Sequence, residues 1–256
     1  MIFTMQAHQL RRLIGPLLLA AIALTAISWY FKGQLPPPAE IELDLLQTPI
    51  QETTRAEPFS FDYKGKECRV EPVTSWEQWG LVVSHNNIES IADIYHDSTS
   101  VDTKDLCVIW GANLEDADYR QVDFKSGPWT CYFKYPGGVR FHHNALGNNH
   151  LITDDPRVRR ALEDVRVGDQ VRLSGLLVNY QMDDWQDFWR RTSTSRDDNG
   201  CEVVFLQEID VLRRGTPGWY RAYRLGWMAI LALPVLYVLL MWIEAGQSDT
   251  TTLGRL

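Results

Sequence analysis

Two stretches of the chain run for 19 residues without a charge, Leu13 to Phe31 (LIGPLLLAAIALTAISWYF) and Leu225 to Ile243 (LGWMAILALPVLYVLLMWI). At about 1.5 Å of rise per residue each extends roughly 28 Å as a helix, close to the hydrocarbon thickness of a bilayer. Both are therefore predicted to span a membrane. The first also has features of a cleaved secretory signal, with Arg11-Arg12 as a positive leader and Ala26-Ile27-Ser28 as small residues for cleavage. Its length, and its ending in the interfacial aromatic belt Trp29-Tyr30-Phe31, favour an uncleaved anchor.

Between these runs the hydrophobic period shortens. Gly80 to His85 (GLVVSH) and Leu106 to Gly111 (LCVIWG) are short apolar runs, and Trp129 to Tyr135 (WTCYFKY) alternates aromatic and polar residues. All three predict strands. Asp154-Asp155-Pro156 is an acidic cap followed by proline, and it predicts a helix over Arg157 to Val165 with Val158, Ala161, Leu162 and Val165 on one face. Two further strands follow, Gln170 to Tyr180 and Cys201 to Leu212, the second entered through a turn at Asp197 to Gly200.

The expected organisation is a cytoplasmic N-terminus (1–12), a membrane helix (13–31), a linker and arm opening on Pro36-Pro37-Pro38 (32–78) and a β domain (79–212). An amphipathic juxtamembrane segment (213–224), a second membrane helix (225–243) and a C-terminal tail (244–256) complete it.

Three strands, a short helix and two strands follow one another in the order of the OB-fold, and Val167 to Val178 (VGDQVRLSGLLV) resembles the fourth strand of such domains. The resemblance implies a mainly β chain, a five-stranded OB-like barrel with one short helix, flanked by two transmembrane helices. The segments LCVIWG, NNHLI and RRTSTSR…CE are also similar to those of bacterial membrane-anchored proteins. That likeness brings no activity and no catalytic residue with it.

Charge narrows the partners. Residues 33–212 hold 17 Lys and Arg against 31 Asp and Glu, a surface that repels phosphate backbones, so nucleic-acid binding is disfavoured. Arg11 and Arg12 place the N-terminus in the cytoplasm and the middle of the chain in the periplasm of a bacterial inner membrane. Arg213, Arg214, Arg221 and Arg224 argue the other way, but long translocated segments largely escape the positive-inside rule.

Four cysteines lie between the helices, an even number that fits an oxidising compartment, and no CxxC is present. Cys107 and Cys131 are expected to face each other from adjacent paired strands, which leaves Cys68 for Cys201. Four reduced thiols are the alternative.

Candidate chemistry gathers in two places. FHHNALGNNH (141–150) supplies His142, His143 and His150 as possible metal ligands, but zinc needs three or four converging ligands and asparagine is a poor one. A hydrogen-bonded loop between the third strand and the helix is the favoured reading of the whole stretch. Between the last two strands, Trp185, Phe188 and Trp189 are placed to contact a ligand or partner, with Arg190, Arg191 and Arg196 to clamp an anion. Asp183, Asp184, Asp187, Asp197 and Asp198 offset those arginines, and the favoured reading has the aromatics covering the barrel end with the Arg–Asp pairs solvated.

No GxSxG, HExxH or phosphate-binding glycine loop occurs, and the neighbours Ser84 and His85 point to opposite faces of a strand. The membrane runs hold no ionisable residue, so they read as anchors. The expectation is a non-enzymatic, membrane-anchored periplasmic module without a cofactor that binds or scaffolds another envelope protein. Its rivals are a metal-dependent enzyme or metal protein using His142, His143 and His150, and an OB-type module for a saccharide or small ligand.

Overall fold

The computed structural model of the protein describes residues 2–87, 101–127, 130–185, 187–195 and 200–251. Among them are nine strands and three α-helices, divided between two compact units, Met1–Gly33 with Thr216–Leu256 and Gln34–Gly215.

The first unit pairs α1 (Ile2–Phe31) with α3 (Pro217–Thr251). Within them His8–Phe31 and Pro217–Gly246 are each long and apolar enough to cross a membrane. Ile14 packs against Leu240 and Leu233, and Phe31 stacks on Trp219 with ring centroids 4.9 Å apart. At Gly226 the helices approach so closely that a Cβ would fall 2.2 Å from Thr25 Oγ1, the small-residue contact on which helix pairs in lipid depend. Arg11 pairs with Glu244 at 3.0 Å, joining the start of one apolar run to the end of the other.

The second unit is built on strands β1 (Ile50–Thr53), β2 (Phe59–Tyr63), β3 (Lys66–Asn87), β4 (Lys104–Ile109), β7 (Leu146–Ile152), β8 (Gln170–Met182) and β9 (Glu202–Arg213). Their pairings run in a circuit, β3 to β4 to β7 to β9 to β8 and back to β3, with β1 and β2 added along β3. All contacts in the circuit are antiparallel except the parallel pair β7–β9. β5 (Asp123–Gly127) and β6 (Thr130–Lys134) form a separate two-stranded sheet.

Strand alternation sends one set of side chains, including Val82, Leu106, Leu151, Leu177 and Val204, into a core shared with Leu162 and Val165 from α2 (Pro156–Glu163) and the residues just after it. β3 follows the pleat for 22 residues by shifting register at Pro72, where proline has no N–H to donate. β8 shifts beside Gly175, whose missing side chain is required because a Cβ there would lie 2.1 Å from the Phe205 carbonyl oxygen.

α2 begins as its sequence predicts. Asp155 Oδ1 accepts from the Arg157 N–H at 2.7 Å and Pro156 occupies the first turn. Its other end is held by a residue that sequence reading passed over. Lys104, on β4 and 1% exposed, donates from Nζ to the carbonyl oxygens of Leu162, Glu163 and Val165 at 3.2, 3.1 and 2.6 Å. One ammonium thereby satisfies the carbonyls left over at the helix terminus. Burial, with Arg166 nearby, lowers its pKa to about 8.

Four of the five predicted strands correspond to β3, β4, β8 and β9, but the third does not. The aromatic run chosen for it forms β6, which pairs with β5 alone; Trp129 itself lies outside the described residues. The place beside β4 is taken instead by Leu146–Ile152, the second half of the stretch expected to be a loop. Alternation marks WTCYFKY as a strand but does not say which sheet it joins. The polar letters of LGNNHLI conceal a strand because its Asn and His side chains find partners inside the fold. The predicted linker also carries more structure than expected, since β1, β2 and the first part of β3 fall within it. The turn at Asp197–Gly200 lies outside the described residues except for Gly200.

Candidate functional site

Asp105 and His150 are directly opposite each other on β4 and β7, on the face turned away from α2. His150 Nδ1 meets Asp105 Oδ1 at 2.7 Å, and their side chains are 0% and 1% exposed. With Nδ1 committed to the carboxylate, Nε2 is turned to Asn148, two residues back on the same face, whose Nδ2 lies 3.4 Å away. The third member is Cys201, just ahead of β9. It is hydrogen-bonded to the His150 ring, and its Sγ lies 3.5 Å from Asn148 Nδ2. Cys201 is partly exposed while both of its partners are buried.

The backbone fixes this arrangement from both sides. The parallel register sets Glu202 beside Asn149 and Val203 beside His150, which brings the preceding residue to Asn148. The strap of residues 190–195 holds the other side. The Arg190 N–H and C=O exchange hydrogen bonds with Tyr180 at 2.9 and 3.0 Å. Thr192 Oγ1 accepts from the Val203 N–H at 2.9 Å, and the Ser193 N–H donates to the Cys201 carbonyl at 3.0 Å.

The electrostatics couple the members. Burial alone pulls the His150 pKa down, but the hydrogen bonds to Asp105 and Cys201 outweigh it and push it up to about 10. Burial likewise raises the Cys201 thiol, yet the hydrogen bonds from His150 and Asn148, with Arg190 nearby, bring its pKa below the ordinary value. The arrangement is a chain of thiol, imidazole and carboxylate, with an amide donor beside the sulfur.

The three predicted histidines separate. His142 and His143 are exposed, and His143 Nε2 meets Tyr135 Oη at 3.1 Å beside the rings of Phe133 and Phe141. His150 is buried with Asp105. Among the described residues no group of three or more His, Cys, Asp or Glu could hold a metal ion.

Cys107 and Cys131 form a disulfide with Cα atoms 6.0 Å apart, but by a different route from the one expected. β4 and β6 do not pair, and the bond ties the β5–β6 hairpin onto the face of β4. The pairing expected of Cys68 with Cys201 is not formed; neither is in a disulfide. Cys68 is buried with Val70 and Tyr180, whereas Cys201 is engaged with His150.

Of the predicted contact residues, Trp185 packs between Tyr180 and Phe188, 5.3 Å from each ring centroid. Phe188 is 62% exposed, Trp189 is half-buried and Arg191 is exposed. Arg190 is tied to Tyr180 through its backbone and lies near His150 and Cys201. Arg196 lies outside the described residues. Asp105 was missed because an isolated carboxylate in KDLCVIW carries no signal until the register of β4 against β7 is known. No family model, curated protein or solved structure matches the chain.

Proposed function

We propose that Gln34–Gly215 is an OB-type five-stranded barrel, anchored in a bacterial inner membrane by α1 and α3 and facing the periplasm, that binds another envelope protein through the segment between β8 and β9. The pairing circuit supports the barrel, since an OB order requires the third and fifth strands side by side and parallel, with the helix between the third and fourth. The two apolar helices support the anchor, and the Cys107–Cys131 bond fits an oxidising compartment.

The observation that carries the binding role is Phe188. A large apolar ring 62% exposed, backed by Trp185 and Tyr180 and followed by exposed Arg191, has the aromatic and arginine character of an interface centre. OB domains commonly place ligand contacts on the loop in this position. The acidic balance of the unit leaves a protein as a better partner than a nucleic acid.

A photo-crosslinking amino acid at Phe188 in intact cells is expected to give a discrete adduct. The same group at Tyr132, also exposed, is expected to give none. The same adduct pattern at both sites, or none at either, overturns the binding role. A reporter fused after Leu256 that is active only in the cytoplasm is expected; the opposite result overturns the orientation.

A further inference from the structure

We propose that Cys201, His150 and Asn148 form a nucleophilic thiol site that accepts an acyl group from an ester or thioester donor, with Asp105 positioning the imidazole. This goes beyond the binding role and uses residues that role leaves idle.

Three observations converge on it. The first is the chain of contacts from the sulfur through the imidazole to the carboxylate, with Nδ1 and Oδ1 2.7 Å apart. An imidazole held in orientation by a third group, and so able to carry the proton of the thiol, is the arrangement that activates a thiol. The second is the gradient of exposure. The carboxylate and imidazole are sealed, and the sulfur, the one atom that must reach a substrate, belongs to a partly exposed residue. A buried charge pair is a weak source of stability, so its position beside an accessible thiol calls for another purpose. The third is Asn148, whose Nδ2 lies 3.5 Å from Sγ. An amide donor there is within reach of the oxygen of a carbonyl bonded to that sulfur, where a tetrahedral intermediate develops negative charge. Thiol–disulfide exchange would make no use of such a donor, and acyl transfer does. A single side-chain donor suits esters and thioesters, whose leaving groups depart readily, better than amides.

The step balances without an oxidant. The Cys201 thiolate attacks the carbonyl carbon, a C–S bond forms, and the carbonyl π pair moves to the oxygen facing Asn148 Nδ2. Collapse breaks the bond to the alcohol or thiol, which leaves with the proton of His150 Nε2, and the acyl group remains on Cys201 as a thioester. Water then attacks the thioester and gives a proton to Nε2. The C–S bond breaks, restoring the thiolate and releasing the acid.

The test uses the full chain in detergent with two probes, p-nitrophenyl acetate and iodoacetamide, read by peptide mass spectrometry. Acetylation of Cys201 and not of Cys68 is expected. His150→Gln is expected to slow it by roughly 100-fold, the scale of general acid–base catalysis. Asn148→Ala is expected to slow acetylation more than alkylation, because alkylation develops no oxyanion. Asp105→Asn is expected to move the pH profile of Cys201 alkylation upward while circular dichroism and the thermal transition still show a folded chain, which separates loss of the imidazole's partner from unfolding. Cys68→Ala is expected to change neither reaction.

The wild-type protein provides a test that needs no variant. The groups facing the thiol are His150, Asn148 and Arg190, and those facing His150 are Asp105, Cys201 and Arg190. The alkylation profile of Cys201 is therefore expected to lie below that of the same residue in urea. Coincident profiles, or acetylation no faster than that of an unfolded cysteine, overturn the site. Phe188 crosslinking in Cys201→Ser is expected to persist, so the site and the binding role fail separately.

Discussion

Cys68 and Cys201, the two cysteines outside the disulfide, lie in the same unit, and their surroundings shift their thiols in opposite directions. Cys68 is fully buried on β3 among Val70, Tyr180 and Met182. Burial, with the charge of Asp102 nearby, raises its pKa to about 12 and leaves it a space-filling group. Cys201 is partly desolvated too, but its neighbours are the His150 ring and the Asn148 amide, and its pKa falls. Desolvation acts on both sulfurs in the same sense. Donors aimed at the sulfur decide which of them reacts.

The comparison is broken most severely by removing Asp105. Asp105→Ala leaves His150 buried without its carboxylate and is expected to cost about 3–5 kcal/mol, as for other broken buried pairs. Urea unfolding measures the loss, and a change below about 1 kcal/mol would mean the pair is not the buried ion pair described. Cys68→Ser comes next. It places a hydroxyl in an apolar cluster and is expected to cost about 1–3 kcal/mol while leaving Cys201 alkylation unchanged. Altered Cys201 reactivity in that variant would show that the two thiols are not independent.

A pH series sharpens the contrast. His150 is raised from 6.5 to about 10, so its contribution is fully present below about pH 6.5 and is lost as the pH rises toward about 10. Cys201, lowered on folding, offsets part of this, and Lys104, lowered to about 8, opposes it increasingly from about pH 7 upward. In Cys201→Ala, stability is therefore expected to fall with rising pH between about pH 6.5 and 7.5, by less than the roughly 1.4 kcal/mol per unit that one whole proton would give. Adding Asp105→Asn is expected to flatten the slope; a slope unchanged by that substitution contradicts the assignment. The smallest effect belongs to Cys201→Ala itself, expected within about 1 kcal/mol of wild type by thermal unfolding, because a partly exposed sulfur fills little core. A larger loss would make it a packing residue like Cys68.

Local pattern reveals an element through its own pleat or cap, however far away in sequence its partner lies. The strands at GLVVSH and QVRLSGLLVNY, and the Asp155-Pro156 start of α2, could all be read from pleat and cap chemistry. The site could not. Asn148 and His150 resemble loop residues until Asp105 and Cys201 are brought to them by two register choices, one antiparallel and one parallel. The Cys107–Cys131 pairing was expected, but through a pairing of its two strands that the fold does not make. The separate β5–β6 sheet was not, since alternation is silent about which neighbour a strand chooses.

The length of β3 shapes how the chain acquires its fold. β2 meets β3 across a tight turn, and the disulfide spans only 24 residues, so both are local events. The other edge of β3 must wait for β8, where Cys68 finds Met182 and Leu81 finds Gln170. β9 ends at Arg213 and α3 starts at Pro217, so the last partners emerge just ahead of the second hydrophobic helix. Until then the nascent chain displays a long unsatisfied strand edge, the surface on which strands of neighbouring chains add. Synthesis that stalls between α2 and β8 would leave that edge open as an aggregation template.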